Sequence, residues 1–577
     1  MARWIVPAAT QERTRVRVDL FTRFFRSLFA HWRSIPTRGW RHLIALPFFS
    51  MIIAYYGYLS GQLLLSYPHA WPDEPLFAEP ALGLLRGSFG TPSMAGTLPG
   101  IEDHTLWMPP LYFGYLALWF AVLGPDLATM RCGSSLMAAI TIGIVLWIGR
   151  RIWKWSTPAI LVALVVFTTD HVWLRGSLVG RMDMLTLATT WFGIAALLYV
   201  RGERDNCSIG NMSGIGRAVF DGTLHDSEPM RGRQSVLLGG LAGVPVLVHP
   251  AGVIAPLTVG TGLLLLSRGT IRRHLLHVSV FSIGGLIVGL PWLAYAATHA
   301  TDFCAQLSAQ VGRKAAKHGL VDLAFAFDVN AHQYEMAASL PAAMWTIGCI
   351  GLCCAAVRSA AGRVLFIAHA LSLTLMIYGC EMWYPIFAVP GTALGTGWLV
   401  HNASRSWLAF RSGSGDAEHR RPRPSTVWEC VGGGVAVVVL TAFAWANVDF
   451  LRRLDTSQGT FAAAGSSYRA WCREFSRHLP PHSVVYICAC PDPYFGLWLR
   501  DDLTLLEFLP AGLPHSADDF QRRLSNVDVV IVTEQLPDAR ILPYLQAEFV
   551  PVARVGKKDG SGYVGFVCRR PSKESGL

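Results

Sequence analysis

PPLYFGYLALWFAVL, residues 109–123, is the stretch of sequence that decides how the chain is threaded through a membrane. Its hydropathy alone would make it the second membrane span. It opens with two prolines, however, and its 15 residues fall short of the roughly 20 that a helix needs to cross the hydrocarbon core. We therefore predict that Pro109–Leu123 is a helix lying along the outer face of the membrane.

The distribution of lysine and arginine favours the same interpretation. If residues 109–123 do not cross, the nine arginines of the first 42 residues and 18 Lys/Arg in later loops all face the cytoplasm. Seven then lie in outer loops: Arg86, Arg131, Arg175, Arg181, Arg313, Lys314 and Lys317. If the stretch crosses, the basic loops between residues 150 and 424 face outward, which breaks the positive-inside rule. The sequence therefore predicts a cytoplasmic N-terminus and an outer C-terminal region.

The composition excludes an ordinary soluble protein. Of the 577 residues 52% are hydrophobic and only 15% are charged, and the mean hydropathy is +0.37. The predicted fold class is an α-helical polytopic membrane protein with about eleven transmembrane helices. The candidate spans are Leu43–Ser66, Cys132–Gly149, Trp155–Thr169, Met184–Val200, Ser235–Val248, Pro250–Ser267, Leu275–Thr298, Met336–Val357, Val364–Cys380, Met382–Ser404 and Cys430–Ala446. Because the cations behind the net charge of +11 lie in loops between spans, we expect no nucleic-acid partner.

The chain is predicted to have three parts. Residues 1–42 form a basic cytoplasmic segment, residues 43–447 the transmembrane domain, and residues 448–577 a small extracytoplasmic α/β domain. The transmembrane domain has a first outer loop at 67–131 and another outer loop at 299–335. Helical and strand-like runs mark the C-terminal domain: Ser467–Leu479, Ser483–Cys490, Ala517–Leu524, Val527–Thr533 and Val552–Arg569. Its cysteines, Cys472, Cys488, Cys490 and Cys568, would allow one disulfide in an oxidising compartment.

Two adjacent carboxylates follow the first predicted span, in Trp71-Pro72-Asp73-Glu74-Pro75. Ionisable residues at a membrane face are functional candidates, because they have no packing role there. The alternative is a solvated acid pair in a loop. We predict a functional role for Asp73 and Glu74.

A second cluster, Arg175-Gly176-Ser177-Leu178-Val179-Gly180-Arg181-Met182-Asp183, lies in the outer loop between the third and fourth predicted crossings. Asp183 precedes an apolar run, as the cap of a helix does. A role in a site is the other interpretation, and both can hold. The predicted topology brings Arg181 and Asp183 to the same membrane face as Asp73.

The first-loop acids, together with Phe77-Ala78-Glu79 and Met108-Pro109-Pro110-Leu111-Tyr112, resemble the first outer loop of the GT-C glycosyltransferases that use polyprenyl-phosphate sugars. That superfamily includes the protein mannosyltransferases and the lipid A aminoarabinose transferases. The resemblance covers roughly residues 43 to 400. It implies an inverting glycosyltransferase of the cell inner (cytoplasmic) membrane. Such an enzyme moves a hexosyl or pentosyl group from a polyprenyl-phosphate carrier to a lipid, glycan or protein acceptor on the outer face.

The resemblance also implies roles for individual residues. Asp73 matches the base that activates the acceptor, Glu74 is its usual companion, and Arg181 and Asp183 match the signature of the second outer loop. His249-Pro250 and Tyr384-Pro385 match positions near the donor phosphate and the lipid groove. We also expect an outer cluster of positive charge to bind the lipid-linked phosphate: Arg313, Lys314 and Lys317.

One departure from the family pattern concerns the residues before the juxtamembrane helix. In the aminoarabinose transferases a second carboxylate stands two residues before the proline, where this chain has Trp107 or Met108. Glu102, Asp103 and His104 lie a few residues upstream and could substitute. His104 is therefore a further candidate for substrate binding.

We expect no metal or other cofactor to be required, because neither outer loop has a compact Asp-x-Asp; a divalent ion between the acids is the alternative. The expected partners are the donor, the acceptor and membrane lipids. Two other functions compete: a multi-pass secondary transporter, and a noncatalytic glycan-assembly or flippase subunit. A transporter would place its ionisable residues near the bilayer midplane, in broken helices of repeated halves. This chain has them at one face.

Overall fold

The computed structural model describes residues 68–209, 232–266, 270–317, 339–379, 383–412, 424–456, 468–507, 517–533, 542–556 and 564–571, together with residues 57, 64 and 65. The chain divides into two units, Met1–Tyr58 and Leu59–Leu577. Apart from Gly57, the described residues belong to the second unit. The predicted basic segment 1–42 and nearly all of the first predicted span, Leu43–Ser66, lie outside them.

Two short helices lie in residues 67–131, the predicted first outer loop. Helix α1 (Asp73–Leu85) begins at the acidic pair, where two carboxylates complement the positive end of the helix dipole. Helix α2 (Leu111–Leu123) follows the double proline and ends at Gly124, whose φ of +87° favours glycine. Its 13 residues span about 20 Å, less than the thickness of the hydrocarbon core. The position of residues 109–123 along the membrane face stays a prediction, and this length agrees with it.

The long apolar runs fold as helices. They are α3 (Leu127–Arg151), α4 (Thr157–Thr169), α5 (His171–Ser177), α6 (Asp183–Ile209), α7 (Gly232–Val248), α8 (Ile254–Leu266), α9 (Ile271–Thr298), α10 (Ala300–Lys317), α11 (Ser339–Arg358), α12 (Ala360–Gly379), α13 (Val389–Ser412) and α14 (Pro424–Thr456). Short 3₁₀ turns lie at Pro92–Met94, Pro250–Val253 and Tyr384–Ala388.

Six helices among the described residues are long and apolar enough to cross a membrane, or seven if the bent pair α4 and α5 counts as one. The chain is therefore a multi-pass membrane protein. The predicted count of eleven spans is not confirmed. The sequence predicts spans at α7 and α8, but these helices have 17 and 13 residues, fewer than the roughly 20 that a straight crossing needs.

The break between α4 and α5 brings the chain to the second predicted cluster. The two helices meet at an angle of 65°. Asp170 caps α5, since its Oδ1 accepts from the backbone N–H of Trp173 at 2.8 Å. The backbone N–H of His171 donates to Asn447 of α14 at 3.0 Å. Two hydrogen bonds, one to the capping side chain of Asp170 and one to α14, therefore hold the N-terminus of α5. The chain then continues into α6.

Helices α7 and α9 approach each other at glycines. A Cβ on Gly239 would lie 1.8 Å from the carbonyl oxygen of Phe281, and one on Gly284 would lie 2.0 Å from that of Val236. Small residues allow helix backbones to come this close, which strengthens dispersion contacts in a bilayer. The glycines of this pair therefore have a packing role.

The C-terminal residues form a small α/β domain. Its elements are α15 (Tyr468–His478), β1 (Val484–Cys488), α16 (Tyr494–Leu497), β2 (Thr504–Glu507), α17 (Ala517–Leu524), β3 (Val529–Thr533), α18 (Leu542–Glu548), β4 (Val550–Val555) and β5 (Gly565–Arg569). The sheet order is β2-β1-β3-β5-β4. Strand β1 is parallel to β2 and β3, whereas β5 is antiparallel to β3 and β4. The predicted sheet-containing domain is thus present.

The sheet domain packs on the first outer loop. One hydrophobic core joins Phe77 of α1 and Phe113 of α2 to Trp471 and Phe475 of α15. This continuity means that the C-terminal domain is not an independent appendage. It packs directly against α1, the helix that begins with Asp73 and Glu74.

Two sequence-based expectations differ from the structure. Cys472, Cys488, Cys490 and Cys568 are all free thiols, so the disulfide that their compartment would allow is not formed. Arg131, assigned to an outer loop, lies inside α3 and is fully buried. Helix α3 starts earlier than the apolar run suggests, because Asp126 caps it by accepting from the N–H of Ala128 at 2.8 Å.

Candidate active site

The residues before α1 hold Asp73 at a partly open position. The side chain of Asp73 is 17% exposed, whereas that of Glu74 is fully buried. Adjacent residues of a helix point about 100° apart, so two neighbouring acids at a helix start meet different surroundings. The Asp73 carboxylate therefore keeps some access to solvent, whereas the Glu74 carboxylate lies in the protein interior.

Arg181 joins the two predicted acidic clusters. Its Nη1 forms an ion pair with Asp73, and its Nε donates to Oδ2 of Asp183 at 3.0 Å. Asp73 and Arg181 are 108 residues apart in sequence. The structure therefore brings together the three residues that the sequence placed at one membrane face.

Asp183 begins α6 and is nearly buried, with 4% of its side chain exposed. Its Oδ2 is bonded to Arg181, but its Oδ1 has no hydrogen-bond partner among the described residues. A buried carboxylate oxygen without a donor is costly unless a further group satisfies it. The orientation of the Asp183 carboxylate is therefore set by Arg181 through Oδ2 alone among the described residues.

Glu74 and Arg131 form a buried ion pair beneath Asp73. Arg131 donates from Nε and Nη2 to the Glu74 carboxylate at 2.9 and 2.7 Å. The backbone N–H groups of Gly180 and Trp71 donate to the same carboxylate at 2.7 and 2.9 Å. The carboxylate thus ties α1 to α3 and to the loop before α6.

The remaining donors of Arg131 bind the chain that leads into α1. Its Nη1 and Nη2 donate to the backbone carbonyls of Leu64, Pro68 and His69 at 2.8–3.0 Å. Burial, followed by the charge of Arg131, lowers the pKa of His69 to about 4. His69 is therefore neutral at physiological pH. Arg131 thus holds the backbone of the residues that precede Asp73.

Trp383 carries two arginines against one ring. The guanidinium carbon of Arg181 lies 4.6 Å from the ring centre, and that of Arg175 lies 5.3 Å from it. Trp71 makes an edge contact with the same ring, with centroids 6.1 Å apart. Arg175 and Arg181 are both almost buried, at 8% and 9% exposure. Positive charge and aromatic surface therefore flank the acid pair.

His249 and Tyr384 lie beside each other, with ring centroids 6.3 Å apart. His249 precedes a 3₁₀ turn, and its Nδ1 accepts from the N–H of Ala251 at 3.1 Å. In the neutral ring the proton is then on Nε2, which can donate to another group. Tyr384 follows Trp383 directly, so these two residues adjoin the arginine and tryptophan cluster.

The other predicted binding residues are elsewhere or undescribed. The Nδ1 of His104 is 3.0 Å from the hydroxyl of Tyr295, and its ring lies 3.7 Å from that of His299. This is a separate aromatic cluster, at the junction of α9 and α10. Helix α10 includes Arg313, Lys314 and Lys317, whose side chains lie outside the described residues.

Metal binding has no strong candidate in the part of the chain that the structure describes. No three or more His, Cys, Asp or Glu side chains are grouped there so that they could hold an ion. Asp73 and Asp183 share a guanidinium instead. The positive charge between the two acids is therefore supplied by Arg181.

Comparison with known proteins identifies the fold. No protein-family model matches the sequence, and no curated protein matches it. ArnT from Cupriavidus metallidurans bound to undecaprenyl phosphate is similar with a TM-score of 0.53, at 14% identity over 90% of this chain and 98% of ArnT. Its apo state gives a TM-score of 0.52, at 14% identity over 91% and 98%. The fold is GT-C-like.

A third structure has a lower score. The oligosaccharyltransferase AglB from Archaeoglobus fulgidus, in complex with an inhibitory peptide and a dolichol-phosphate, has a TM-score of 0.48 at 13% identity. The match covers 89% of this chain and 74% of AglB. At sequence identities this low, structural similarity shows the fold alone.

Within this GT-C-like fold, sequence reasoning missed two arginines of the site. Arg131 carried a signal: it stands in an apolar run shortly after Asp126, where a helix cap would place it inside the helix. Arg175 was part of the quoted second cluster but was not chosen, although it lies at the same ring as Arg181. Nothing in the sequence shows that Trp383 would bring the two together.

Proposed function

We propose that the chain is a membrane glycosyltransferase that moves a sugar from a polyprenyl-phosphate-linked donor to a lipid, glycan or protein acceptor on the outer face of the cytoplasmic membrane. The observation that carries the proposal is the convergence of Asp73 and Asp183 on Arg181 in a GT-C-like fold. The ArnT structure with undecaprenyl phosphate supports the choice of donor class.

The proposed reaction is a single displacement at the anomeric carbon. The acceptor oxygen attacks that carbon, and the bond from the carbon to the phosphate oxygen breaks. Asp73 takes the proton of the acceptor, and the phosphate oxygen keeps the bonding electrons. The product has inverted configuration, and polyprenyl phosphate is released. Asp73 suits this task because it is the more exposed of the two acids paired with Arg181.

Arginine side chains fit the departing phosphate. Arg181 and Arg175 lie at the Trp383 ring, and a planar guanidinium can bond two phosphate oxygens at once. His249 and Tyr384 adjoin this surface and would add donors. We include Arg313, Lys314 and Lys317 as outer cations that attract the lipid-linked phosphate.

We assign Glu74 to positioning, in place of the catalytic role expected from the sequence. Its carboxylate accepts from four donors and has no exposed surface, so it cannot reach an acceptor. Asp183 assists by keeping Arg181 oriented, since its Oδ2 accepts from Nε of that arginine at 3.0 Å. Donor binding thus falls to the arginines, and proton transfer to Asp73.

The test uses purified protein and a panel of radiolabelled polyprenyl-phosphate hexoses and pentoses. Wild type should bind one of them and release lipid phosphate in the presence of membrane extract as acceptor. Asp73→Asn should abolish release while leaving binding within about threefold, because the amide keeps the shape and cannot take a proton. Asp501→Asn, an exposed acid of the C-terminal domain that has no part in the proposed site, is the control and should behave as wild type.

Each alternative gives a different result. A noncatalytic subunit binds donor and releases nothing in any variant. A transporter moves solute across proteoliposomes without cleaving a donor. Near-normal turnover in Asp73→Asn would refute its role as the base and make Asp183 the next residue to test.

A further inference from the structure

Three carboxyl groups meet where the C-terminal domain touches the first outer loop. Glu79 comes from α1, Asp492 from the turn after β1, and Glu507 from the end of β2. Asp492 and Glu507 are 1% and 0% exposed, and each acts on the pKa of the other. The charge of Glu79 also acts on Glu507. We call these three residues the acid cluster.

The donors around the acid cluster do not neutralise it. Ser93 donates to Glu79 from its backbone N–H at 3.0 Å and from its hydroxyl. The N–H of Tyr494 donates to Oδ1 of Asp492 at 2.8 Å. The Oδ2 of Asp492 and both carboxyl oxygens of Glu507 are buried and accept no hydrogen bond from the described residues.

The nearest cation is engaged elsewhere. Arg523 donates from Nη2 to the backbone carbonyls of Ser93 and Glu507, both at 2.7 Å, and not to a carboxylate. A buried carboxylate whose oxygens accept no hydrogen bond is strongly disfavoured in its charged form. The burial of Asp492 and Glu507 and their lack of donors therefore favour retention of a proton at this junction.

Electrostatics agree with the geometry. Burial raises the pKa of Asp492 to about 7, and burial likewise raises the pKa of Glu79 to about 7 against the opposing hydrogen bonds from Ser93. Burial and the neighbouring Asp492 raise the pKa of Glu507 well above its usual range. These acids retain protons at a pH where free carboxyl groups have lost them.

The acid cluster is connected to Asp73 at two points. The backbone N–H of Asp492 donates to the carbonyl of Ala70 at 3.0 Å, three residues before Asp73. Glu79 lies on α1, the helix that Asp73 begins. The hydroxyl of Tyr468 also donates to the carbonyl of Asp492, at 2.7 Å, which fixes the turn. A displacement of Asp492 would therefore break its hydrogen bond to Ala70 and release the backbone that precedes Asp73.

We propose that Glu79, Asp492 and Glu507 are positioning residues that dock the C-terminal domain on α1 through shared protons and so hold Asp73 in place, with docking weakened as pH rises. The proposal rests on the proposed function only for what Asp73 does. The sign follows from proton binding. The docked form holds protons that exposed carboxyl groups release above pH about 4, so docking is strongest at low pH. It weakens about tenfold per pH unit for each proton released, until about pH 7, where Glu79 and Asp492 ionise in the docked form too.

Other groups near the acid cluster do not explain a response between pH 5 and 8. They are Glu74, Arg86, Tyr468, Cys472, Tyr486, Cys490, Tyr494 and Arg523. Burial raises the pKa of the Tyr468 and Tyr494 hydroxyls well above 10 and that of the Cys472 and Cys490 thiols to about 12. Glu74 is paired with Arg131. The raised pKa values of about 7 for Glu79 and Asp492 lie in this range, and that of Glu507 is raised in the same direction.

The experiment compares full-length wild type with Glu507→Gln, in which an amide keeps a donor and has no proton to lose. Tm and donor turnover are measured from pH 5 to 8. We expect the Tm of wild type to fall as pH rises and that of Glu507→Gln to fall at most half as much. The ratio of turnover at pH 8 to turnover at pH 6 should be at least threefold higher in Glu507→Gln than in wild type. Asp502→Asn, a more exposed acid of the same domain, should follow wild type.

Glu79→Gln, measured in the same way, is the second variant should Glu507→Gln not fold. Equal pH dependence of Tm in wild type and in the folded amide variant would overturn the proposal, even if glycosyl transfer is confirmed. A flattened Tm profile without turnover in any protein would support docking while refuting the proposed function.

Discussion

At the scale of single residues, Arg181 would link donor binding to acceptor activation in the proposed reaction. It is the shared counter-ion of Asp73 and Asp183, and it also stacks near Trp383, where a phosphate would meet it. A donor phosphate that drew the guanidinium towards itself would release the Asp73 carboxylate as a base. Binding of the donor and activation of the acceptor would then depend on the same side chain.

The Glu74–Arg131 pair gives a stability prediction. Arg131→Leu should destabilise the protein by about 3–5 kcal/mol, because it leaves a buried carboxylate without its cation. Adding Glu74→Gln should restore part of this loss, since the amide oxygen still accepts from the N–H of Gly180 and carries no charge. Thermal unfolding of the two single variants and the double variant measures the coupling.

The exposed pair Arg477–Glu474 is the control for that cycle. Their side chains are 72% and 40% exposed, and Arg477→Leu should change stability little. A double variant less stable than Arg131→Leu would show that Glu74 does not need its charge neutralised. In that case the buried pair would not be what holds the loop.

At the scale of elements, the contact of α7 with α9 can be tested at two glycines of one helix. Gly284→Ala should destabilise by about 1–3 kcal/mol, because its Cβ would lie 2.0 Å from the carbonyl oxygen of Val236 and would force the helices apart. Gly289→Ala has no atom within 4 Å of its Cβ and should be neutral or slightly stabilising. Tm values in detergent distinguish them, and equal values would argue against this close packing.

The sequence predicts elements well where the pattern is long. The apolar runs that the structure describes are helices, and the strand-like runs at 483–490 and 527–533 contain β1 and β3. Strand β2 was missed because four residues, Thr504–Glu507, are too few to show an alternation. The start of α3 was placed five residues late, since hydropathy reports the apolar run and not the capping residue Asp126.

The sequence could predict which candidate residues lie at the same membrane face, but not how they contact one another. The positive-inside argument and the family resemblance placed Asp73, Arg181 and Asp183 at one face, and the structure joins them. Which of two adjacent acids is buried depends on tertiary packing, so the environment of Glu74 could not be read from its neighbours. The junction of Glu79 with Asp492 depends on residues far apart in sequence, and no local pattern reports it.

At the scale of the whole molecule, orientation is a prediction that the charge distribution supports. In a variant with the native cysteines replaced by serine or alanine, single cysteines at the exposed positions Ser88 and Asn526 should react with an impermeant maleimide in intact cells. A cysteine at Ser213, in the predicted cytoplasmic loop between α6 and α7, should react only after lysis. The reverse pattern would place the candidate site on the wrong side for an outer-face acceptor.

The hydrogen bond from Asp492 to Ala70 also bears on biogenesis. Its two partners are more than 400 residues apart, and a ribosome adding about 5–20 residues per second needs roughly 20–85 s to make the second after the first. During that interval the residues before Asp73 have been synthesised without the sheet domain that contacts them. If the chain acts as we propose, a nascent chain would therefore lack an assembled site, and activity would arise only once the sheet domain has folded.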